Sequence, residues 1–141
     1  MKKLLLLPFM LLLLMGCNVN DGKLTFSEIN PEKASATVKD FITQMEINED
    51  GTGNGIYILN VKKDKFYLFL SQEFLDKGKS FGSIDVKEEE DTLTIYLNER
   101  SDKGQENQVM QKLYEIHRPK DYEFLRVFKN GEETHIQTVG A

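Results

Sequence analysis

The chain has 141 residues, 23 acidic against 18 basic, a net charge of −5, 40% hydrophobic residues, no Trp and a single Cys. That length fits one domain and excludes two, and the acidic balance argues against a nucleic-acid partner, which calls for clustered Lys and Arg. One cysteine excludes an internal disulfide framework and a cysteine-built zinc site.

Lys2 and Lys3 precede an apolar run over residues 4–14 that is interrupted only by Pro8. The run is shorter than the roughly 20 residues a membrane span needs, and its layout is that of a secretory signal. Leu14-Met15-Gly16-Cys17 follows directly. This tetrad resembles the lipobox of bacterial lipoproteins, with an aliphatic residue, then a small one beside the cleaved bond, then cysteine. The chemistry demands these types, because the thiol receives a diacylglyceryl group and the peptidase must fit a small residue next to the bond it cuts. The resemblance implies that residues 1–16 are a removable signal peptide, that Leu14, Met15 and Gly16 are read by the signal peptidase, and that Cys17 is lipidated and can carry palmitate. Two acyl chains anchor a protein stably where one does not. The expected address is extracytoplasmic, on the bacterial cell membrane, or on the outer membrane if the source has one. Residues 17–29 read as the lipidated N-terminus and tether, and residues 30–141 as a single domain.

Within that domain, Asn30-Pro31-Glu32 joins a preferred N-cap to Pro at the first helical position and an acid in the first turn. Ala34, Val38, Phe41, Ile42 and Met45 then share one face at helical spacing. These signals predict one amphipathic helix over 31–46, ended by the glycine-rich stretch 48–55. Beyond it the period changes to two. Residues 56–62 and 65–71 read as a hairpin around Lys63-Asp64, pairing Tyr57 with Leu70, Leu59 with Leu68 and Val61 with Phe66 on a core face. A second pair, 81–87 and 92–97, shares Ile84, Val86, Leu93, Ile95 and Leu97 on one face around the acidic turn 88–91. Residues 98–107 read as a solvated loop and 109–117 as a strand closed by Arg118-Pro119. Asn130-Gly131 is a strong type I′ turn signal, and its register pairs Val127 with Thr134, Arg126 with His135 and Leu125 with Ile136. The expected fold is α+β: an N-terminal helix on a mainly antiparallel sheet, or small sandwich, of about seven strands.

Several patterns imitate active sites. Gly78-Lys79-Ser80-Phe81-Gly82 matches G-x-S-x-G, yet a nucleophile elbow needs a helix after the serine and here a strand pattern follows. Asn48, Asp50, Thr52 and Gly53 imitate the start of an EF-hand loop, but Leu59 occupies the position of its bidentate glutamate. His117 and His135 are the only imidazoles, too few for a histidine-built metal site, and no metal or other cofactor is expected. Tyr57, Tyr67, Tyr96, Tyr114 and Tyr122 suit strands without any ligand to stack on. The predicted register places Phe124, Arg126, Phe128 and His135 on one face, an amphipathic mixture that serves either as a contact surface or as a second face covered by the helix or by loops.

From Gly55 onward the order of features, GIYILNVKKDKFYLFLS, GKSFGSIDV, TLTIYLNE, LYEIHRP and LRVFKNGE, resembles the C-terminal domain family of the protease complex subunit PrcB, found in small bacterial lipoproteins. The resemblance implies a non-enzymatic β-rich domain that binds, stabilises or helps assemble a partner protein at the cell envelope, and it supplies no catalytic residues. The leading functional expectation is therefore a lipid-anchored accessory or protein-binding module whose partners are the membrane, through Cys17, and an envelope protein. Its alternative is a carrier of a small ligand or envelope component, which a buried cavity would favour, and after that a small hydrolase, which a cleft gathering Ser80 with a histidine would favour. The acidic net charge predicts repulsion from anionic headgroups and a bias toward basic partners or divalent cations.

Overall fold

The computed structural model describes residues 23–101 and 109–140. It holds nine strands: β1 (Thr25–Ile29), β2 (Ile56–Lys62), β3 (Lys65–Leu70), β4 (Ser80–Glu89), β5 (Thr92–Arg100), β6 (Lys112–His117), β7 (Phe124–Lys129), β8 (Glu132–Thr134) and β9 (Thr138–Gly140). One α-helix, α1 (Ala36–Ile47), and two 3-10 turns, Pro31–Lys33 and Gln72–Phe74, complete it. The strands form a five-stranded sheet in the order β1-β6-β3-β2-β9 and a four-stranded sheet in the order β4-β5-β7-β8. All pairs are antiparallel except β2 with β9 and β5 with β7. The α+β class is thus as expected, with more strands than seven and with β1 preceding the helix.

Burial follows the strand periodicity into two cores. Ile56, Ile58, Phe66, Leu68 and Leu70 of the larger sheet meet Val86, Leu93, Ile95, Leu97 and Val127 of the smaller one. On the opposite face of the larger sheet, Tyr57, Leu59, Phe69 and Leu113 receive Val38 and Ile42 from α1. β2 and β3 are therefore buried on both faces, and the layers run helix, sheet, sheet. Among the described residues, the four-stranded sheet carries no helix on its outer side.

Four details correct the sequence reading. The helix does not run unbroken over 31–46, because Ala34 and Ser35 are extended and Ser35, whose Oγ accepts from Val38 N at 3.4 Å, starts α1 afresh. Asn30 caps only the short 3-10 turn, accepting from Glu32 N at 3.0 Å. The apolar face nonetheless holds: Val38 and Ile42 are buried, with Ala34, Phe41 and Met45 packed beside them. In the first hairpin Lys62 does face Lys65, but Ile56 pairs with Leu70 and Tyr57 with Phe69, one residue off the expected register. The slip is taken up by a bulge at Val61, since one extra residue on one strand is what a bulge accommodates. The acidic turn is tighter than expected: β4 and β5 extend to pair Glu89 with Thr92, and Glu90 takes φ 53 in the turn. Finally, Thr25–Ile29, read as tether, is a paired strand that joins the sheet through β6.

Candidate functional site

The register of the four-stranded sheet builds its uncovered face in three rows. Asp85, Tyr96, Phe128 and Glu133 lie side by side across the four strands; Lys87, Thr94 and Arg126 form the next row; Glu89, Thr92 and Phe124 form the third. These positions alternate with the buried Val86, Ile95 and Val127, as strand geometry requires. Tyr96 and Phe128 stack with ring centroids 5.3 Å apart. The Arg126 guanidinium lies 5.1 Å from the Phe128 centroid and pairs with Glu133 through both carboxylate oxygens, Nε to Oε1 at 2.8 Å and Nη2 to Oε2 at 3.0 Å. Lys87 covers the other aromatic, 5.6 Å from the Tyr96 centroid. The hydrogen bonds between Arg126 and Glu133 hold the guanidinium charged and the carboxyl below its usual range. Phe124, at 53% exposure, stands at the end of this array.

Phe124, Arg126 and Phe128 are thus gathered on one face as expected, and His135 is not in their row. The predicted pairs Arg126/His135 and Leu125/Ile136 do not form, because β8 ends at Thr134. Past that point the chain is drawn to the other sheet: Asn54 Nδ2 donates to the His135 carbonyl at 2.6 Å and Gln137 N to the Ile56 carbonyl at 2.8 Å, after which β9 lies parallel to β2. Tyr96 and Lys87 belong to the surface and were missing from the sequence reading. The alternation of Ile95, Tyr96 and Leu97 already placed Tyr96 opposite the core.

That departure of the chain leaves a second feature. Leu125 points between the sheets, opposite Leu93, yet stays 38% exposed because Ile136 does not close over it. A cavity of about 130 Å³ opens there, lined by the apolar Ile58, Phe66, Leu93, Leu125 and Val139 together with the polar Asn60 and Arg118. Arg118 is set in place by Nε donating to the Lys63 carbonyl at 2.8 Å, and its guanidinium lies 5.8 Å from the Phe66 centroid. Tyr122, also at this cavity, bonds Glu88 at 2.5 Å, and burial and that carboxylate push its phenol upward.

The imitated motifs resolve into structural parts. Ser80 opens β4, and a strand follows it where an elbow would place a helix. Asp50 spends Oδ1 on Thr52, taking its backbone N–H at 3.0 Å and its hydroxyl at 2.5 Å, which holds the carboxyl below its usual range. His117 contacts Glu115 at 2.6 Å on β6, and among the described residues no group of three His, Cys, Asp or Glu is placed to hold a metal. Tyr57 and Tyr114 are core phenols, each pushed up to about 12 by burial first and by nearby carboxylates second. Leu14, Met15, Gly16 and Cys17 lie outside the described residues, and among the described ones no helix is long and apolar enough to cross a membrane. Compared with protein-family models, with curated proteins and with solved structures, the chain matches none.

Proposed function

We infer that this chain is a membrane-anchored extracytoplasmic lipoprotein whose β-domain is a non-enzymatic protein-binding or accessory module. The anchor rests on the lipobox residues Leu14 to Cys17. The observation that carries the binding reading is the outer face of the four-stranded sheet, where an exposed Phe124 and the half-buried, stacked Tyr96 and Phe128 stand with a fixed Arg126 among them. Aromatic residues and arginine are the types that anchor protein interfaces, since they bring large contact area with little conformational freedom to lose. With the one described α-helix packed on the other sheet, a face of this kind is suited to a partner rather than to the domain's own core. The carrier alternative has less support: the cavity between the sheets, at about 130 Å³, is well below the ~300–1,000 Å³ of small-molecule sites, and the larger hollows of about 350, 380 and 480 Å³ beside α1, β1 and residues 110–111 are open to solvent rather than enclosed.

The experiment is site-specific photo-crosslinking in intact cells with the reactive residue at Phe124 or Phe128, against a control at Asp40 on α1. One envelope protein captured from the sheet positions and not from Asp40 is the expected result. Equal capture from all three positions, or none above background, would sink the binding reading. Cys17→Ala in the same cells tests the anchor separately, through loss of palmitate labelling and release from the membrane fraction.

A further inference from the structure

We propose that the cavity under Arg118 is a binding site for the free C-terminus of a partner polypeptide ending in an apolar residue, an assignment that rests on the protein-binding reading above and names what the partner must offer. Three observations lead to it. The first is the unfilled space itself. Leu125 and Val139 face it at 38% and 56% exposure, although both sit on strands of a sandwich whose interior is otherwise packed. Protein interiors close such gaps, so an open apolar slot is a place for a group from elsewhere.

The second is its size. A cavity of about 130 Å³ is close to the ~150 Å³ engineered void that accepts benzene. It therefore takes one leucine- or phenylalanine-sized side chain and is too small for a fatty acyl chain.

The third is Arg118. Its Nε is used on the Lys63 carbonyl, its backbone N–H donates to the Asp64 carbonyl at 2.9 Å, and its terminal nitrogens donate to no group among the described residues. The neighbouring charges are otherwise engaged: Lys63 lies 4.0 Å from Asp121, Lys120 donates to the Glu90 carbonyl at 2.5 Å, and Glu88 accepts from Tyr122. Arg118 is left as a pre-set planar fork lining a largely apolar slot, beside the neutral Asn60, a combination that suits a carboxylate. A C-terminal residue carries its side chain and its carboxylate on one Cα, so both can enter together. An internal acid beside an apolar residue in an extended segment would point to the opposite face.

The test is methyl NMR on the full chain as isolated, titrated with N-acetyl-leucine, its neutral amide N-acetyl-leucinamide, and decanoate. Saturable shifts at the methyls of Ile58, Leu93, Leu125 and Val139 are expected with the acid, and binding of the amide about tenfold weaker, because only the acid makes a charge-assisted pair. Arg118→Gln keeps a donor for the Lys63 carbonyl and should erase the difference between acid and amide. Val139→Phe, at a half-exposed lining position, should weaken both by filling the slot, with the remaining methyl spectrum reporting that the fold persists. No saturable shift at these methyls up to about 10 mM, a ceiling set by what so small a ligand can gain, overturns the site. Equal affinity for acid and amide overturns the role of Arg118, and decanoate binding tighter than N-acetyl-leucine overturns the peptide and assigns the slot to lipid. Photo-crosslinking at Phe124 and Phe128 reports the outer sheet face, so either result can fail without the other.

Discussion

Gly55 is the position where a single methyl group should do the most damage. It has φ +71, and a Cβ built there would overlap the backbone nitrogen of Phe74 and stand 2.9 Å from Glu73 C and Phe74 Cα. Neither obstacle is the end of a flexible side chain, so relief requires moving the 3-10 turn Gln72–Phe74. The same residue is tied on both sides: its carbonyl accepts from Ser71 N at 3.0 Å and its N–H donates to Gln137 Oε1 at 3.0 Å. For Gly55→Ala, left-handed backbone strain costs about 1–2 kcal/mol, overpacking against a fixed backbone adds about 1–3 kcal/mol, and the stiffer unfolded chain returns about 0.4–1 kcal/mol. The net is about 1–4.6 kcal/mol, and about 3 kcal/mol from the middle of each range, a large share of the 5–15 kcal/mol typical of a domain. Gly51 is the internal control: φ is +81 there, but a Cβ would meet nothing within 4 Å, so Gly51→Ala carries the strain alone and should cost no more than about 1.5 kcal/mol. Urea unfolding of both variants, with m checked for constancy, gives the comparison. Equal midpoints for the two would refute the idea that contact with the turn, rather than φ, makes Gly55 indispensable.

Three further outcomes are expected. Asp76 has its carboxyl held below the usual range, first by the hydrogen bond from Lys129 Nζ at 3.3 Å, so its contribution is present above the unfolded value and is lost as pH falls through the folded one. Asp76→Asn should therefore flatten the decline in urea midpoint below about pH 4, the unperturbed aspartate range, and parallel pH profiles for variant and parent would contradict this. Phe124→Ser removes a 53% exposed ring from the outer sheet face and should shift stability by no more than about 0.5 kcal/mol while abolishing partner capture; a collapse in thermal midpoint would mean the ring is structural. Cys17→Ala should abolish palmitate labelling and move the protein out of the membrane fraction, and retention there would refute the lipid anchor.

The elements legible in the sequence are those whose information is local. The Asn130-Gly131 turn is set by two residues that tolerate positive φ, 52 and 84 here, and its first pairs follow at once. The faces of α1 and of β4 and β5 follow from periodicity alone. What escaped the sequence depends on competition between distant groups. The last hairpin stops short because Asn54 and Ile56, some 80 residues away in the chain, capture the backbone at His135 and Gln137. No pattern around His135 announces that, so the row containing Arg126 was predicted with the wrong fourth member. β1 was hidden for a related reason: Thr25, Phe26, Ser27 and Glu28 remain exposed, and an edge strand pinned only through β6 has no buried face to give it a signature.

The lost hairpin pair and the cavity are one event seen from two sides. Had Ile136 stayed opposite Leu125, the slot would be closed by the chain itself; its diversion toward β2 leaves Leu125 facing open space beside Arg118. The chain also enters the domain at this end, since Thr25 and Lys65 both pair with His117, the residue before Arg118. Cys17, the proposed lipidation site, is eight residues ahead of Thr25 in the sequence, a reach of at most about 29 Å fully extended. Under the proposed anchor, the end of the domain that carries Arg118 and the slot is therefore tethered within that reach of the bilayer. A partner using the slot must then present its C-terminus close to the membrane, which points to a protein that is itself anchored there.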